Sequence, residues 1–485
     1  MIDIATSSAT ALAEALRRRE ISSLELLDFF ANRISRLDGP LNSVVTLDLE
    51  RARRSAKEAD EELARGDIRG PLHGLPITVK DSLETAGLLT TSGFPDLSAH
   101  VPAADAVCVA RAVAAGAIVF GKTNLPTLAA DVQTYNSLFG TTNNPWNLER
   151  TCGGSSGGSA TATAAGFTSF EIGSDIGGSI RTPSNWCGVF GHKPTHDIIP
   201  QRGHIPGPPG SLTEWDLAVV GPIARSADDL ELVLGIQAGP LPDRARGWRL
   251  DLPPPRREKL SDYRVAAWLD DDAFPVDPGV RTVLAGAVQA LRSAGASVDE
   301  GARPAFRLAD VFHTYLRLLA PVMLAGLPRD QFEMMKALSQ AAPEDTRDPS
   351  ILMARHGTGL TRDWLAANEA RQHIRAAFAD FFTRYDVLLT CVTPVTAVAH
   401  DHSDMPSRTI RVGEATRPYF DLLSWISPAT CALLPATVAP VGLARDGMPV
   451  GVQIVGPYLE DRTTIDFARH VAAVTGGFKA PPLPA

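Results

Sequence analysis

The residues with the clearest chemical potential lie in three short runs. Lys80 ends the apolar run Gly-Leu-Pro-Ile-Thr-Val-Lys-Asp at 74–81. Two glycine-rich runs carry serines, Gly-Gly-Ser-Ser-Gly-Gly-Ser at 153–159 and Gly-Ser-Asp-Ile-Gly-Gly-Ser-Ile-Arg-Thr-Pro at 173–183. A serine hydroxyl becomes an effective nucleophile only when a base takes its proton, and a neutral lysine can be that base. None of the three runs contains a histidine.

Lys80 is the better candidate base of the two lysines that follow apolar runs. Lys122 also follows such a run, but Gly121 intervenes. Asp81 points to the opposite face if the strand continues, so it need not hold Lys80 in the charged form. Burial of the ammonium lowers a lysine pKa from about 10.4 towards ~7 to 8. A strand-end lysine seen alone is more often a solvated surface group, so the assignment depends on the serine runs.

The glycines around the serines favour tight turns with exposed backbone N–H groups. Glycine pairs bracket Ser155 and Ser156, and a helix is predicted to begin at Ser159. In the third run, the successive N–H groups that end at Ser179 are the material of an oxyanion hole for a tetrahedral acyl intermediate. A flexible turn or a phosphate cradle is the alternative for 153–158, although the Gly-Lys-Ser/Thr ending of a P-loop is absent.

Taken jointly, these runs resemble the amidase signature family. Further runs that resemble the family are Gly-Lys-Thr-Asn-Leu-Pro at 121–126, Phe-Gly at 139–140, Asn-Pro-Trp at 144–146, Gly-His-Lys-Pro-Thr at 191–195, Gly-Pro-Ile-Ala-Arg at 221–225 and Pro-Val-Gly-Val-Gln at 449–453. They extend over most of the chain. The resemblance implies a hydrolase of C–N bonds that works through an acyl-serine.

The resemblance implies a Ser-cisSer-Lys triad formed by Lys80, Ser155 and Ser179. Neutral Lys80 would accept a proton through Ser155 as Ser179 attacks a carbonyl. The proton would then return to the leaving amine, and water would hydrolyse the acyl-enzyme by the same relay.

Two further groups of residues complete the site that the resemblance implies. The first group would bind the oxyanion or line the substrate pocket through backbone atoms: Ile176, Gly177, Gly178 and Ala129. The second group would brace the two loops without breaking bonds: Ser156, Asp175 and Arg181.

Composition and charge narrow the class of partner. The chain has 485 residues, 44% hydrophobic and 21% charged, which allows one large α/β domain or two domains. Its formal net charge of -9 argues against a sequence-independent nucleic-acid binder, because that function depends on neutralising phosphates with Lys and Arg. We therefore expect a small-molecule substrate and no nucleic acid.

The cysteine pattern indicates whether a metal or cofactor is expected, and the apolar runs indicate the cellular compartment. The five cysteines show no Cys/His spacing typical of zinc, and Cys152 and Cys187 are expected to be small buried fillers. We expect no metal, no cofactor and a reducing compartment. Residues 1–8 lack the pattern of a secretory signal, and no run reaches the ~18 apolar residues of a membrane-spanning helix. The expected location is the cytoplasm, without membrane attachment.

Alternating helix and strand patterns predict an α/β fold. The run at 77–80 predicts a buried strand, and a helix at 105–115 followed by a strand at 117–120 is the order typical of α/β sheets. The same order recurs over 278–298.

The resemblance implies a single large domain over 1–485, with a central mixed, twisted sheet covered by helices on both faces. Its catalytic core is expected at 70–230. The Pro- and Arg-rich segment 238–262 is predicted to be a surface linker.

The family includes simple amide, fatty-amide and aryl-amide hydrolases, carbamate- and urea-cleaving enzymes, and the glutaminase subunit of tRNA-dependent amidotransferases. That subunit carries an acidic residue for glutamine recognition, and its position here corresponds to Leu423, with Asp421 two residues away. His192 also replaces the apolar residue that commonly precedes Lys-Pro-Thr.

Aromatic and methionine side chains between 303 and 359, with Tyr419, Phe420 and Trp425, suggest an apolar acyl or aryl pocket, although helix core is the commoner place for each. The resulting hypothesis is a stand-alone serine hydrolase of small amides or carbamates (a urethanase) that carry an apolar or aryl group, with ester hydrolysis as a side activity. The sequence leaves open the exact substrate, the segment that lines the pocket (303–359 or 415–430) and the oligomeric state, a homodimer included.

Three other hypotheses stay open at this stage. The first is the glutaminase subunit of an amidotransferase. The second is a non-catalytic binding protein with the same fold, against which the intact triad residues speak. The third is a histidine-based esterase that uses His73 or His204, neither of which lies in a recognisable triad motif.

Overall fold

A computed structural model describes residues 3–346 and 348–483, so residues 1, 2, 347, 484 and 485 of the expected domain and N-terminal segment lie outside the described residues. The described chain contains fourteen α-helices: α1 (Ala9–Arg17), α2 (Ser23–Leu37), α3 (Leu49–Arg65), α4 (Val107–Ala114), α5 (Gly157–Ala165), α6 (Arg181–Cys187), α7 (Ala227–Gln237), α8 (Pro278–Ser293), α9 (Leu308–Leu324), α10 (Arg329–Ala341), α11 (Pro349–Gly357), α12 (Thr361–Arg384), α13 (Ser427–Cys431) and α14 (Asp461–Thr475).

The same residues contain seventeen strands: β1 (Val44–Leu47), β2 (Pro76–Lys80), β3 (Ile118–Thr123), β4 (Tyr135–Asn136), β5 (Gly140–Thr141), β6 (Asn143–Asn144), β7 (Asn147–Thr151), β8 (Glu171–Asp175), β9 (Phe190–Lys193), β10 (Val219–Ala224), β11 (Arg264–Trp268), β12 (Ser297–Asp299), β13 (Val387–Cys391), β14 (Thr409–Val412), β15 (Ala415–Pro418), β16 (Ala436–Leu443) and β17 (Pro449–Val455).

The predicted α/β fold with a mixed central sheet is confirmed. Eight strands pair in the order β12-β11-β13-β17-β16-β9-β10-β8, with β11 parallel to β12 and β13 and the other pairs antiparallel. Helix α14 contacts α7 and α8, and all three contact the sheet, while α5 and α6 form a second contacting group beside it. Apolar side chains of the strands and of α5, α7, α8 and α14 form one large core, while α6 contributes to two smaller clusters.

A smaller sheet with the order β1-β3-β2 lies beside the eight-stranded sheet. Side chains join β2 to the β8 region, where Thr78 N–H donates to Thr168 Oγ1 at 2.9 Å and Lys80 Nζ donates to Ser174 Oγ at 2.9 Å. The join between the two sheets therefore places the end of β2 next to the end of β8.

The strand predicted at 117–120 continues to Thr123 through Gly121. A Cβ on Gly121 would lie 2.7 Å from the carbonyl oxygen of Thr46, so the glycine lets β1 approach β3 closely. The glycine therefore does not end the strand, and Lys122 lies inside it.

The segment 238–262 forms two short 3-10 turns, Arg244–Arg246 and Leu260–Asp262, with an irregular path between them. Leu241 and Leu252 are buried and attach it to the core, while most of its other residues are exposed. Along the described residues, no helix is both long enough and apolar enough to cross a bilayer.

Candidate active site

Lys80 is the last residue of β2, and its side chain is completely buried. Its Nζ lies 2.7 Å from Ser155 Oγ and 2.9 Å from Ser174 Oγ, so both side-chain partners are hydroxyls. Burial lowers the pKa of Lys80 to about 7, although the charges of Asp175 and Glu171 oppose the shift. A large share of Lys80 is therefore neutral near pH 7, in the form that can accept a proton.

Lys122 is equally buried but has different partners. Its Nζ donates to a backbone carbonyl and to the hydroxyls of Thr85 and Thr90, at 3.0 and 3.1 Å for the hydroxyls. Lys122 pairs in register with Val79, so strand alternation places its side chain on the face opposite to that of Lys80. Burial lowers the pKa of Lys122 to about 8. Of these two buried lysines, only Lys80 contacts the serine runs.

The turn at 153–158 presents Ser155 to the lysine and packs tightly against a neighbouring segment. The peptide bond between Gly154 and Ser155 is cis. A Cβ on Gly154 would lie 2.7 Å from the carbonyl oxygen of Asp131 and 2.8 Å from the carbonyl carbon of the next residue. The glycine is therefore required by the close approach of segment 131–133.

Ser156 joins this turn to the run at 173–183. Its N–H donates to the carbonyl of Ser179 at 3.1 Å. Its hydroxyl donates to the carbonyl of Ser174 at 3.3 Å and accepts from the N–H of Ser174 at the same distance. These contacts suit the bracing role that the resemblance implies.

Ser179 lies between β8 and α6, with 7% of its surface exposed. Its Oγ forms no hydrogen bond with Ser155 Oγ or with any other residue of the described chain. The two serines belong to adjacent turns, since Ser156 bonds the carbonyl of Ser179. Catalytic hydrogen bonds often tighten only in the complex with substrate, so this geometry is compatible with a relay.

The loop at 176–178 precedes Ser179 and carries the N–H groups expected to bind an oxyanion. Gly178 N–H donates to Asp175 Oδ1 at 3.0 Å, so it is already engaged. Across residues 3–346 and 348–483, the N–H groups of Ile176, Gly177 and Ser179 donate to no protein acceptor. These three N–H groups are the ones that remain available for an oxyanion.

Asp175 and Arg181 form an ion pair with no exposed side-chain surface. Arg181 Nη2 lies 2.8 Å from Oδ1 and Nε lies 3.0 Å from Oδ2. Its other contacts reach the Ile426 carbonyl at 2.9 Å, Gln453 Oε1 at 2.7 Å and Thr430 Oγ1 at 2.6 Å. Burial acts to raise the pKa of Asp175, but the charge and hydrogen bonds of Arg181 outweigh it and hold that pKa below its ordinary value.

Ala129 lies in a short 3-10 turn that follows β3, and it is half-buried with a φ of 57°. Its N–H donates to the carbonyl of Pro126 at 2.9 Å. The chain then enters segment 131–133, which packs on Gly154. The role of Ala129 in lining a pocket stays a prediction.

Two residues beside the site carry no signal in the sequence that would have singled them out. Ser174 is the second partner of Lys80, and one more serine in a glycine- and serine-rich run is not distinctive. Tyr315, on α9, donates its hydroxyl to the carbonyl of Ile176 at 2.9 Å. This contact spans 139 residues, so no local pattern could indicate it.

Core packing accounts for most aromatic residues that were expected to form an apolar pocket. The Phe306 ring lies 5.0 Å from that of Phe378, and the Phe312 ring lies 5.0 Å from that of Phe274. Trp425 is buried and donates its indole N–H to the carbonyl of Phe274 at 3.0 Å.

The residues next to Gly177 are instead Tyr315 and Leu423. A Cβ on Gly177 would lie 3.4 Å from Tyr315 Oη and 3.6 Å from Leu423 Cδ2. Asp421 is directed elsewhere, because its carboxylate accepts from Arg417 Nε at 2.6 Å. Leu423, where the resemblance predicts the glutamine-binding acid, is thus apolar, and the carboxylate of Asp421 is engaged by an arginine.

Neither histidine of the esterase hypothesis bonds a candidate serine. His73 Nε2 lies 2.9 Å from a backbone carbonyl of α3. His204 is buried, its Nε2 has no hydrogen-bond partner among the described residues, and burial together with the charge of Lys80 lowers its pKa to about 3. His192 Nε2 lies 3.1 Å from buried Asp461. In the described part of the chain, no group of three or more His, Cys, Asp or Glu residues could hold a metal ion.

The sequence and the fold both resemble those of known proteins. The model of the family described as Amidase matches residues 25–465. One subunit of the glutamyl-tRNA(Gln) amidotransferase of Geobacillus kaustophilus (strain HTA426) is 32% identical over 500 residues, covering 98% of this chain and 99% of the relative. The structure of 6-aminohexanoate cyclic dimer hydrolase superposes with a TM-score of 0.78 and 26% identity, covering 98% of each chain. A second solved structure superposes with a TM-score of 0.79 and 26% identity, covering 98% of this chain and 100% of that one. That structure is inhibitor-bound and concerns a vestigial protein complex and the evolutionary origins of an s-triazine catabolic enzyme.

Proposed function

The chain belongs to the amidase family, and we propose that it cleaves the C–N bond of an amide through an acyl-enzyme on Ser179. The observation that carries the proposal is the environment of Lys80. Its amine is completely buried, lies 2.7 Å from Ser155 Oγ, and has a pKa that burial lowers to about 7. A lysine held in this way can act as a general base near neutral pH.

In the proposed first half-reaction, Lys80 takes the proton of Ser155 as Ser155 takes that of Ser179. The Ser179 oxygen forms a bond to the substrate carbonyl carbon, and the carbonyl oxygen becomes an oxyanion. The free N–H groups of Ile176, Gly177 and Ser179 stabilise this charge, and removal of one such donor typically slows a reaction by about 10² to 10³. The C–N bond then breaks, and the proton passes back through Ser155 to the leaving nitrogen.

In the second half-reaction, water attacks the acyl-enzyme and Lys80 again accepts the proton through Ser155. The C–O bond to Ser179 breaks, Ser179 regains its proton, and the carboxylic acid leaves. The balance is one amide and one water consumed, with one acid and one amine or ammonia released. The buried Asp175–Arg181 pair maintains the loop without contact with the reacting atoms.

The first candidate substrate is the side-chain amide of glutamine. Relatives whose names place them in glutamyl-tRNA(Gln) amidotransferase match nearly the whole chain at 32 to 33% identity. These names support a glutaminase subunit better than the stand-alone hydrolase that the sequence favoured. On this proposal the chain works with partner subunits and supplies ammonia to them.

The second candidate is a small amide or carbamate with an apolar group. Leu423 and Tyr315 flank Gly177, and Asp421 is paired with Arg417. An apolar acyl group would bury against Leu423, whereas a glutamine ammonium would meet no unpaired carboxylate there. Ester hydrolysis follows as a side activity, since an acyl-serine route accepts esters.

Both candidates share one proposed architecture. The triad residues lie within 70–230, but Arg181 reaches α13 and β17 in the second half of the chain. We therefore treat the chain as a single domain whose catalytic core depends on contacts beyond residue 230.

Labelling with a fluorophosphonate tests the reaction without assuming a substrate. We expect one covalent adduct, located on Ser179 by peptide mass spectrometry, and no adduct in Ser179→Ala. Ser98→Ala, a change at an exposed serine, should label like the wild type. Absence of an adduct from wild-type Ser179 would overturn the proposal.

Product release then separates the two substrates. Ammonia from glutamine and aniline from matched N-aryl amides and carbamates are measured with the chain alone and with Ser179→Ala. Release of ammonia from glutamine, with no release of aniline from the aryl substrates, supports the glutaminase proposal. Aniline release without glutamine hydrolysis supports the stand-alone hydrolase, and the amide-to-carbamate ratio then ranks its substrates.

A further inference from the structure

Tyr315 is a fully buried tyrosine that the mechanism above does not use. It lies on α9, far in sequence from the serine runs, and none of its surface is exposed. Its hydroxyl donates to the carbonyl oxygen of Ile176 at 2.9 Å. Burial raises the pKa of Tyr315 well above its ordinary value, so the hydroxyl keeps its proton and remains a donor.

The carbonyl that Tyr315 holds belongs to the same peptide group as the N–H of Gly177. A trans peptide group is planar, and its C=O and N–H bonds point in opposite directions. A hydrogen bond that fixes the Ile176 oxygen therefore also fixes the direction of the Gly177 N–H. A glycine on the C-terminal side places little steric restriction on rotation of this peptide group, so the bond from Tyr315 restrains it.

The next peptide group of the loop is held by a different residue. Gly178 N–H donates to Asp175 Oδ1 at 3.0 Å. The Gly177 N–H itself donates to no acceptor among the described residues and lies two positions before Ser179. The loop is thus restrained by Tyr315 at one peptide group and by Asp175 at the next, while the Gly177 N–H of the first group stays available.

We propose that Tyr315 is a positioning residue that directs the Gly177 N–H towards the oxyanion formed at Ser179. This inference rests on the proposed function, since it assumes acyl transfer to Ser179. Tyr315 acts through the backbone and does not contact the reacting atoms. It also makes the orientation of the oxyanion loop depend on α9, a helix that packs against α11, α12 and α13.

The test uses Tyr315→Phe and the rate at which a small methyl fluorophosphonate modifies Ser179. The phosphoryl oxygen of this probe occupies the position of an oxyanion, so the rate reports on the N–H groups. We expect the second-order rate constant to fall about ten- to a hundredfold, below the full loss of a donor, because the N–H remains but is no longer held. The pH at the midpoint of the rate profile should not change, since Lys80 is untouched.

Tyr263→Phe is the matched control. Tyr263 is also buried, and its hydroxyl donates to Asp466 at 2.7 Å, on α14. This variant should label at the wild-type rate even if its melting temperature falls. Incorporation of 4-aminophenylalanine at position 315 keeps a donor at the same place and should restore most of the rate.

Three results would overturn the inference. One is an unchanged labelling rate in Tyr315→Phe. Another is a rate loss with a shifted pH midpoint, which indicates general distortion of the site. The third is a raised KM for an amide with normal labelling, which indicates direct contact of Tyr315 with substrate. Failure of wild-type Ser179 to label would instead reject the proposed function, so the two failures are distinguishable.

Discussion

The Asp175 carboxylate and the Arg181 guanidinium, one before and one after Ser179 in the chain, form an ion pair with no exposed surface. The carboxylate also accepts from the N–H groups of Gly178 at 3.0 Å and Ile180 at 3.1 Å. Two residues that flank the candidate nucleophile are therefore fixed to each other and to the loop between them.

Arg181→Met should strongly destabilise the protein, because it leaves Asp175 buried without its partner. Removal of one member of a buried ion pair typically lowers the free energy of unfolding by about 3–5 kcal/mol. Urea denaturation followed by circular dichroism measures this change. Arg307→Met is the control, since Arg307 pairs with Asp310 on the surface, where ion pairs contribute little. Equal effects of the two variants would contradict the role given to the buried pair.

The rate of Ser179 modification should rise with pH through the pKa of Lys80. Burial lowers this pKa to about 7, and only the neutral amine can accept a proton. Below pH 7 we expect the rate to fall about tenfold for each pH unit. Fluorophosphonate labelling from pH 5.5 to 9 measures the profile. A rate that is constant across this range would show that another group is the base.

The same pKa predicts how stability depends on pH. Lys80 has a pKa of about 7 in the folded protein and its ordinary value of 10.5 in the unfolded chain. Between these values the unfolded chain binds more protons, so the contribution of Lys80 to the free energy of unfolding rises with pH. In Lys80→Met this contribution is absent, and the gain in stability between pH 7 and pH 9.5 should be smaller than in the wild type. Identical gains in urea denaturation would contradict a lowered pKa for Lys80.

Lys122 is a matched control for Lys80, because both lysines are buried in the small sheet but only Lys80 contacts the serines. It is buried like Lys80, but its amine bonds Thr85, Thr90 and a carbonyl, and none of the serines. Lys122→Met should leave those acceptors unpaired and lower the melting temperature, while folded protein labels at the wild-type rate and with the same pH midpoint. Lys80→Met should instead abolish labelling. Loss of labelling in both variants would remove the distinction between the two lysines.

The sequence predicted the elements around the site because local signals encode them. Lys80 directly follows an apolar strand, and the glycine pairs that bracket Ser155 and Ser156 indicate a tight turn within a few residues of the chain. Such signals depend on neighbours in the chain. The contact between Tyr315 and Ile176 depends on how α9 docks onto the loop, which no run of residues encodes.

Gly121 shows that a local sequence pattern can misplace the end of a strand. The apolar run predicts a strand over 117–120, which ends one residue before this glycine. The structure shows β3 continuing through it, because the absent side chain makes room for the carbonyl of Thr46. The need for glycine came from a neighbouring strand, and this neighbour could not be predicted from the local pattern.

Variants of Leu423 and Asp421 distinguish the two substrate candidates most clearly. Leu423 Cδ2 lies 3.6 Å from the place of a Cβ on Gly177, whereas Asp421 pairs with Arg417. If an apolar acyl group packs on Leu423, Leu423→Ala should lower kcat/KM for an N-aryl amide by at least about tenfold, since one missing methylene in a hydrophobic pocket already costs about 10- to 200-fold and this change removes three carbons. Asp421→Asn should then change this value little.

The glutaminase proposal predicts the opposite order for the same two variants. Glutamine carries an ammonium group that needs a carboxylate, and Asp421 is the nearest acid in sequence to the position held by Leu423. Asp421→Asn should then raise KM for glutamine, while Leu423→Ala leaves ammonia release nearly unchanged. Steady-state kinetics of both variants with both substrates decides between the two. Sensitivity of glutamine hydrolysis to Asp421 would mean that Arg417 releases the carboxylate when substrate binds, whereas insensitivity to Asp421 together with a loss in Leu423→Ala would exclude Asp421 as the glutamine-binding acid.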